Sequence, residues 1–246
     1  MSRTTTIAFM PAIGGAGAST LSIVAMEVLC AERQSQRSSC CVVNLNLQAG
    51  AVADYLDVRP NLDLEDIARA PERLDAHLLE VMLSQHKSGY SVLSALPSLS
   101  ASESVNPQII GRLLDLASTK FSTLIIDMPG LWMPWCDSVL HGTDKLYFVT
   151  DMSVAGLRHG QRLAQLVSDR HGVELNGSVI VNKSARLGVA GVKKQHAEVL
   201  LGSYFAGFIP DGRKHVLAAQ NQGILPSEYK RKNALNTALR KILIQA

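Results

Sequence analysis

No apolar run in this sequence reaches the length that spans a bilayer, and the opening stretch MSRTTTIAFM lacks the long apolar core of a signal peptide. A soluble, cytoplasmic protein is expected. Cysteine is scarce. Cys30, Cys40, Cys41 and Cys136 follow no metal-ligand spacing, and the Cys40–Cys41 pair opens an apolar run, as buried thiols in a reducing compartment would. A dominant charge is missing too: 24 Lys and Arg against 21 Asp and Glu give +3, too little to imply a nucleic-acid partner. The short basic clusters at Lys193–Lys194, Arg213–Lys214–His215, Lys230–Arg231–Lys232 and Arg240–Lys241 read as solvated surface. There is no internal repeat and no low-complexity segment. His141, His159, His171, His196 and His215 are scattered without ligand spacing. Nothing resembles a Ser-His-Asp set or a paired carboxylate site.

What is present is an alternation. The chain has 246 residues, 47% of them hydrophobic, which suits a single α/β domain over residues 1–246. Strand-like runs occupy 4–10, 40–46, 90–96, 122–128, 145–150, 177–182 and 204–209. Several are apolar on both faces, as parallel strands covered by helices must be. Helical patterns fill 18–34, 63–85, 107–119, 155–170 and 190–200 between them. Alternation of this kind predicts a doubly wound, mostly parallel sheet of seven strands with helices on both faces. The unpatterned stretch 98–106 reads as a surface loop. Ligands of such sheets sit outside the carboxyl ends of the strands. The segments following the strands at 4–10, 40–46 and 122–128 should therefore converge on one site.

The first of those segments is PAIGGAGAST, residues 11–20. A strand, a glycine-rich turn and an apolar helix are the context of a phosphate-binding loop. Gly14, Gly15 and Gly17 allow successive backbone N–H groups to turn inward as an anion nest around Ala16. The helix starting near Ala18 adds its positive end. Ser19 is placed to coordinate Mg²⁺ and Thr20 to hydrogen-bond a phosphate oxygen. The run LIIDMPG, 124–130, ends a buried strand in Asp127, the expected carboxylate on the Mg²⁺ side. The strand at 178–183, SVIVNK, ends in Asn182 and Lys183; Asn182 either contacts a base or closes an ordinary strand turn.

These residues resemble the ParA/MinD family of deviant P-loop ATPases, and within it the TadZ/CpaE group of Flp (tight adherence) pilus assembly proteins. The loop from Ile13 to Thr20 is similar to the family pattern K-G-G-x-G-K-[ST]-[ST]. NLNLQAGAVADYL resembles the group's D-L-D-L-Q-x-G-D segment. The stretches 71–98, 125–150, 153–163 and 209–228 resemble the group as well, so the likeness covers nearly the whole chain. The resemblance implies ATP and Mg²⁺ as ligands, a homodimer, and a role in placing pilus machinery at a cell pole. It implies pilus-assembly or polar proteins as partners and at most an indirect membrane association. Group members often carry an N-terminal receiver-like domain. This chain starts directly at its first strand, so none is expected in it.

The sequence departs from the pattern where chemistry is done. Ile13 stands where the family has the lysine that reaches the partner's phosphates. Ala18 stands where it has the lysine that neutralises the β- and γ-phosphates. Asn44 and Asn46 stand for aspartates, the second being the water-positioning residue. Two positive and two negative groups are absent together, so local formal charge is unchanged. The expectation is an ATP-binding site with weak or no hydrolysis. An active, slow ATPase switch, a DNA-binding partition-type protein, and drift after all nucleotide function was lost, the loop serving only as a βα turn, are the alternatives. Trp132 and Trp135 cover the nucleotide, face a partner chain or anchor a packed loop, and Arg158 either supplies lost charge or lies on plain surface. The C-terminal helix, with an apolar stripe at 235, 239, 242 and 243, is expected to pack back on the domain.

Overall fold

The apolar runs form one sheet in the computed structural model of the chain, which describes residues 4–32, 37–98, 105–172, 177–184 and 192–245. Its strands are β1 (Thr5–Pro11), β2 (Cys40–Asn44), β3 (Ser84–Gln85), β4 (Ser91–Ser94), β5 (Thr123–Asp127), β6 (Lys145–Thr150), β7 (Gly177–Ser184) and β8 (Phe205–Pro210). Their order is β3-β4-β2-β5-β1-β6-β7-β8. Every pairing is parallel except β3 with β4. β2 and β5 are buried along their whole length, as strands covered on both faces must be.

The helices among the described residues are α1 (Ala18–Glu32), α2 (Val52–Tyr55), α3 (Leu64–Arg69), α4 (Ala76–Met82), α5 (Pro107–Lys120), α6 (Cys136–His141), α7 (Val154–His171), α8 (Lys194–Leu201), α9 (Arg213–Gln220), α10 (Pro226–Tyr229) and α11 (Ala234–Gln245). They divide between two cores, one on each face of the sheet. Along β1, Ile7 and Phe9 join Leu21 and Val24 of α1 and Leu239 of α11, while Ala8 and Met10 join Leu113 of α5 and Ala164 of α7. This alternation is the period-2 signature of a strand between two layers. The stripe Leu235, Leu239, Ile242 and Leu243 is buried, so α11 packs back on the domain as expected.

Two expectations change. The segment 63–85 is not one helix. Asp63 accepts the Asp66 N–H at 2.8 Å and starts α3, Pro71 opens a single 3-10 turn, and Asp75 accepts the Leu78 N–H at 2.8 Å to start α4. Two aspartate caps and a proline outweigh the apolar periodicity running through them. The segment ends in the two-residue antiparallel β3, so the sheet has eight strands rather than seven. Of the loop expected at 98–106, residues 99–104 lie outside the described residues, as do 33–34 and 190–191 of two expected helices.

Register fixes the site. Asp127 pairs with Phe9 on one side and with Asn44 on the other, and Pro11 pairs with Val149. The carboxyl ends of β1, β2, β5 and β6 therefore come level, at the edge where the glycine loop begins.

Candidate phosphate-binding site

The loop after β1 turns tightly, with the Ala16 N–H donating to the Ile13 carbonyl at 3.2 Å. Gly15 and Gly17 have left-handed backbones, at φ 71° and 96°. At Gly17 a second constraint applies: a Cβ would stand 2.6 Å from Asn182 Nδ2. That amide, buried at the end of β7, donates to the Ala16 carbonyl at 2.8 Å, and its oxygen accepts the Lys183 N–H at 2.8 Å. Lys183 also has a left-handed backbone, φ 54°, uncommon for a residue with a side chain. Its ammonium donates to the Gly15 carbonyl. Two neighbouring residues of β7 thus hold two successive loop carbonyls. The N–H groups of the first turn of α1 have no partner inside the helix, and Ala18, Ser19 and Thr20 open on the cleft.

Asp127 lies behind this turn and is fully buried. Its Oδ2 accepts the Ser19 hydroxyl at 2.7 Å and its Oδ1 the Ser22 hydroxyl at 3.4 Å. Burial pushes its carboxyl up to about 7, against the pull of the two hydroxyls. Ser19 and Asp127 are the expected Mg²⁺ pair, and the structure brings them together. A hydroxyl and a carboxylate in contact form a hard-oxygen donor set, which fits an ion that keeps several waters and takes one or two protein oxygens.

The two asparagines separate in role. Asn44 is buried, donates to Ser94 Oγ at 3.0 Å and accepts the Asn46 N–H at 3.1 Å. Gly50 packs so closely that any side chain there would overlap the Asn44 amide. Asn44 is therefore a structural knot beneath the site. Asn46 reaches the cleft, and its side-chain oxygen accepts the Ala49 N–H at 3.3 Å.

The cleft measures about 690 Å³, within the usual range for small-ligand sites. Its walls include Tyr55, Leu131, Lys183, Lys214 and Gln220. Gln220 donates to the Thr20 hydroxyl at 3.2 Å and so ties α9 to α1. Among the described residues three cations line the cleft: Lys183, Arg213 and Lys214. Arg213 is held by Asp211 at 2.7 Å. Arg158 lies exposed on α7 and is not part of the lining. Trp135 is buried in the wall and Trp132 is 37% exposed. The four cysteines are buried and form no disulfide. Among the described residues no cluster of His, Cys, Asp or Glu could hold a metal by itself. Nor is any helix among them long and apolar enough to cross a membrane.

The clamp from β7 exceeds what the sequence offered, which was either a base contact or an ordinary strand turn at Asn182. The Asn-Lys pair at a strand end was its only signal. Gly50 and Gln220 were not anticipated, because neither sits in a recognisable motif.

No family model and no curated protein matches the chain. Solved structures do. A ParA family ATPase from Chlorobium tepidum TLS superposes with a TM-score of 0.85 at 20% identity, covering 99% of both chains. The MinC:MinD cell division protein complex of Aquifex aeolicus gives 0.78 at 16% identity, over 98% of this chain and 95% of that one. The septum site-determining protein MinD of Pyrococcus horikoshii OT3, complexed with Mg-ADP, gives 0.75 at 17%, over 97% and 94%. From end to end, the chain has the fold of the ParA and MinD ATPases.

Proposed function

We propose that the chain is a nucleotide-binding localisation factor of the ParA/MinD family, of the TadZ/CpaE type, that helps place Flp pilus machinery at a cell pole. It binds adenine nucleotide with Mg²⁺ at residues 14–20 and hydrolyses it slowly or not at all. The observation that carries this reading is the loop itself. Gly15 and Gly17 are in left-handed conformation and β7 clamps the Gly15 and Ala16 carbonyls, yet positions 13 and 18 hold Ile and Ala. A degenerate turn would have no need of such a clamp.

In this reading Gly14 to Thr20 supply backbone donors, and Ser19 and Asp127 hold Mg²⁺. The ion, when bound, neutralises phosphate charge. Ala16 and Ala18 contribute backbone alone. Asn182 and Lys183 shape the loop, and Asn46 can hold a water but cannot act as a carboxylate base. Losing one charge-stabilising donor typically costs about 10²–10³ in rate, and here several are absent together. A homodimer across the nucleotide face is supported by exposed Leu131 (67%), Trp132 (37%) and Val154 (50%) at the carboxyl edge of the sheet.

Calorimetric titration with Mg²⁺ and adenine nucleotide should give weak but saturable heat, and steady-state turnover should stay at background. The double variant Ala18→Lys, Asn46→Asp restores a neutralising and an orienting group at constant net charge. It should hydrolyse ATP faster than either single variant, because such groups act as a unit. Turnover by the unmodified chain equal to that of the double variant would replace this reading with an active switch.

A further inference from the structure

We propose that the cleft selects nucleoside diphosphates over triphosphates. The inference rests on the nucleotide-binding reading above and names its ligand class.

A phosphate loop has two functional halves. Backbone N–H groups cradle the α- and β-phosphates, and a loop lysine reaches the β- and γ-phosphates. In this chain the first half is intact. Gly15 and Gly17 have left-handed backbones, and the carbonyls of Gly15 and Ala16 are held by Lys183 and Asn182. Lys183 also sets one cation against the loop, on its β7 side.

The second half is absent. Ala18 presents a buried methyl group and Ile13 an apolar chain. The ionisable group behind Ser19 is the acid Asp127, whose hydrogen-bond partners there are the hydroxyls of Ser19 and Ser22. Among the described residues, the cations lining the cleft come from β7 and from the amino end of α9, and Arg213 is already held by Asp211. A γ-phosphate would add its charge without the loop lysine that normally receives it. A diphosphate stops short of that point and keeps every backbone donor. Mg²⁺ offsets part of the repulsion for both ligands and so does not reverse the order.

The test is calorimetric titration of the full chain, in excess Mg²⁺, with ADP and with adenylyl imidodiphosphate, a triphosphate analogue that is not hydrolysed. ADP should bind about tenfold tighter or more, the effect of one uncompensated charge interaction. Ala18→Lys, checked for folding by its thermal transition, should shift the ratio toward the analogue. On the unmodified chain, inorganic pyrophosphate should displace ADP at lower concentration than tripolyphosphate does, which repeats the comparison without base, ribose or a new side chain. If the analogue or tripolyphosphate binds as tightly as its shorter counterpart, selectivity is overturned while nucleotide binding stands. If neither nucleotide binds at millimolar concentration, nucleotide binding itself is overturned, and the selectivity with it.

Discussion

Replacing Gly17 by alanine would do two things at once. It would force a side chain into a left-handed backbone and drive its Cβ into the Asn182 amide, leaving the Ala16 carbonyl without its donor. The variant should lose about 2–4 kcal/mol in urea unfolding and should not bind nucleotide. Lys183 separates stability from function. Lys183→Gly relieves the left-handed strain at that position while adding chain entropy to the unfolded state, so the melting temperature should barely move. Nucleotide affinity should nevertheless fall about tenfold, because the Gly15 carbonyl loses its cation. Lys183→Arg should retain most of it. At this scale the sequence was legible in residue type and partly in role. Gly14, Gly15, Gly17, Ser19 and Asp127 are contiguous with strand and helix signals, so their positions followed from local pattern. Asn44 stands in the sequence only as a replaced aspartate beside Asn46, and the structure adds that its amide ties β2 to Ser94. That bond joins residues 50 apart, and no local pattern encodes it.

Between elements, the joint at Glu27 makes stability depend on pH. Glu27 on α1 accepts the Ser227 hydroxyl from α10 and the Asn236 amide, at 3.3 Å, from α11. It is 5% exposed, and burial pushes its carboxyl from the ordinary 4.5 up to about 7, only partly countered by the two donors. A raised carboxyl pKa means that the folded chain prefers the protonated form. Its contribution is full below about pH 4.5 and is lost as pH rises through about 7. A shift of that size corresponds to about 3 kcal/mol. Glu27→Gln should therefore match the parent near pH 5 and exceed it near pH 8 in urea unfolding. Some slope should survive, because buried Asp127 titrates in the same direction. The parallel strands and long helices were legible because each is a run of one period. The region 63–85 was not, because short capped helices share an apolar spacing with one long helix. Only the caps at Asp63 and Asp75 tell them apart.

For the whole molecule, the apolar rim of the cleft predicts assembly. Leu131 lines the cleft and is 67% exposed, and Trp132 stands beside it. Light scattering at high protein concentration with Mg²⁺ and nucleotide should report a dimer, and Leu131→Glu with Trp132→Arg should return it to monomer without changing the melting temperature. The exposed basic clusters fit a solvated surface, and binding to duplex DNA should be undetectable at physiological salt. The layered sheet was legible as a whole, since it follows from alternation of elements. The site's bracing was not, since it depends on which strand ends come level. The bond from Asn182 to Ala16 spans 166 residues and that from Lys183 to Gly15 spans 168. A support placed so far from the loop frees positions 13 and 18 to change, and a search keyed to lysines there passes over the chain. Related proteins should instead be recognisable by a split signature: three spaced glycines after the first strand, and an Asn-Lys pair closing a strand more than 160 residues later.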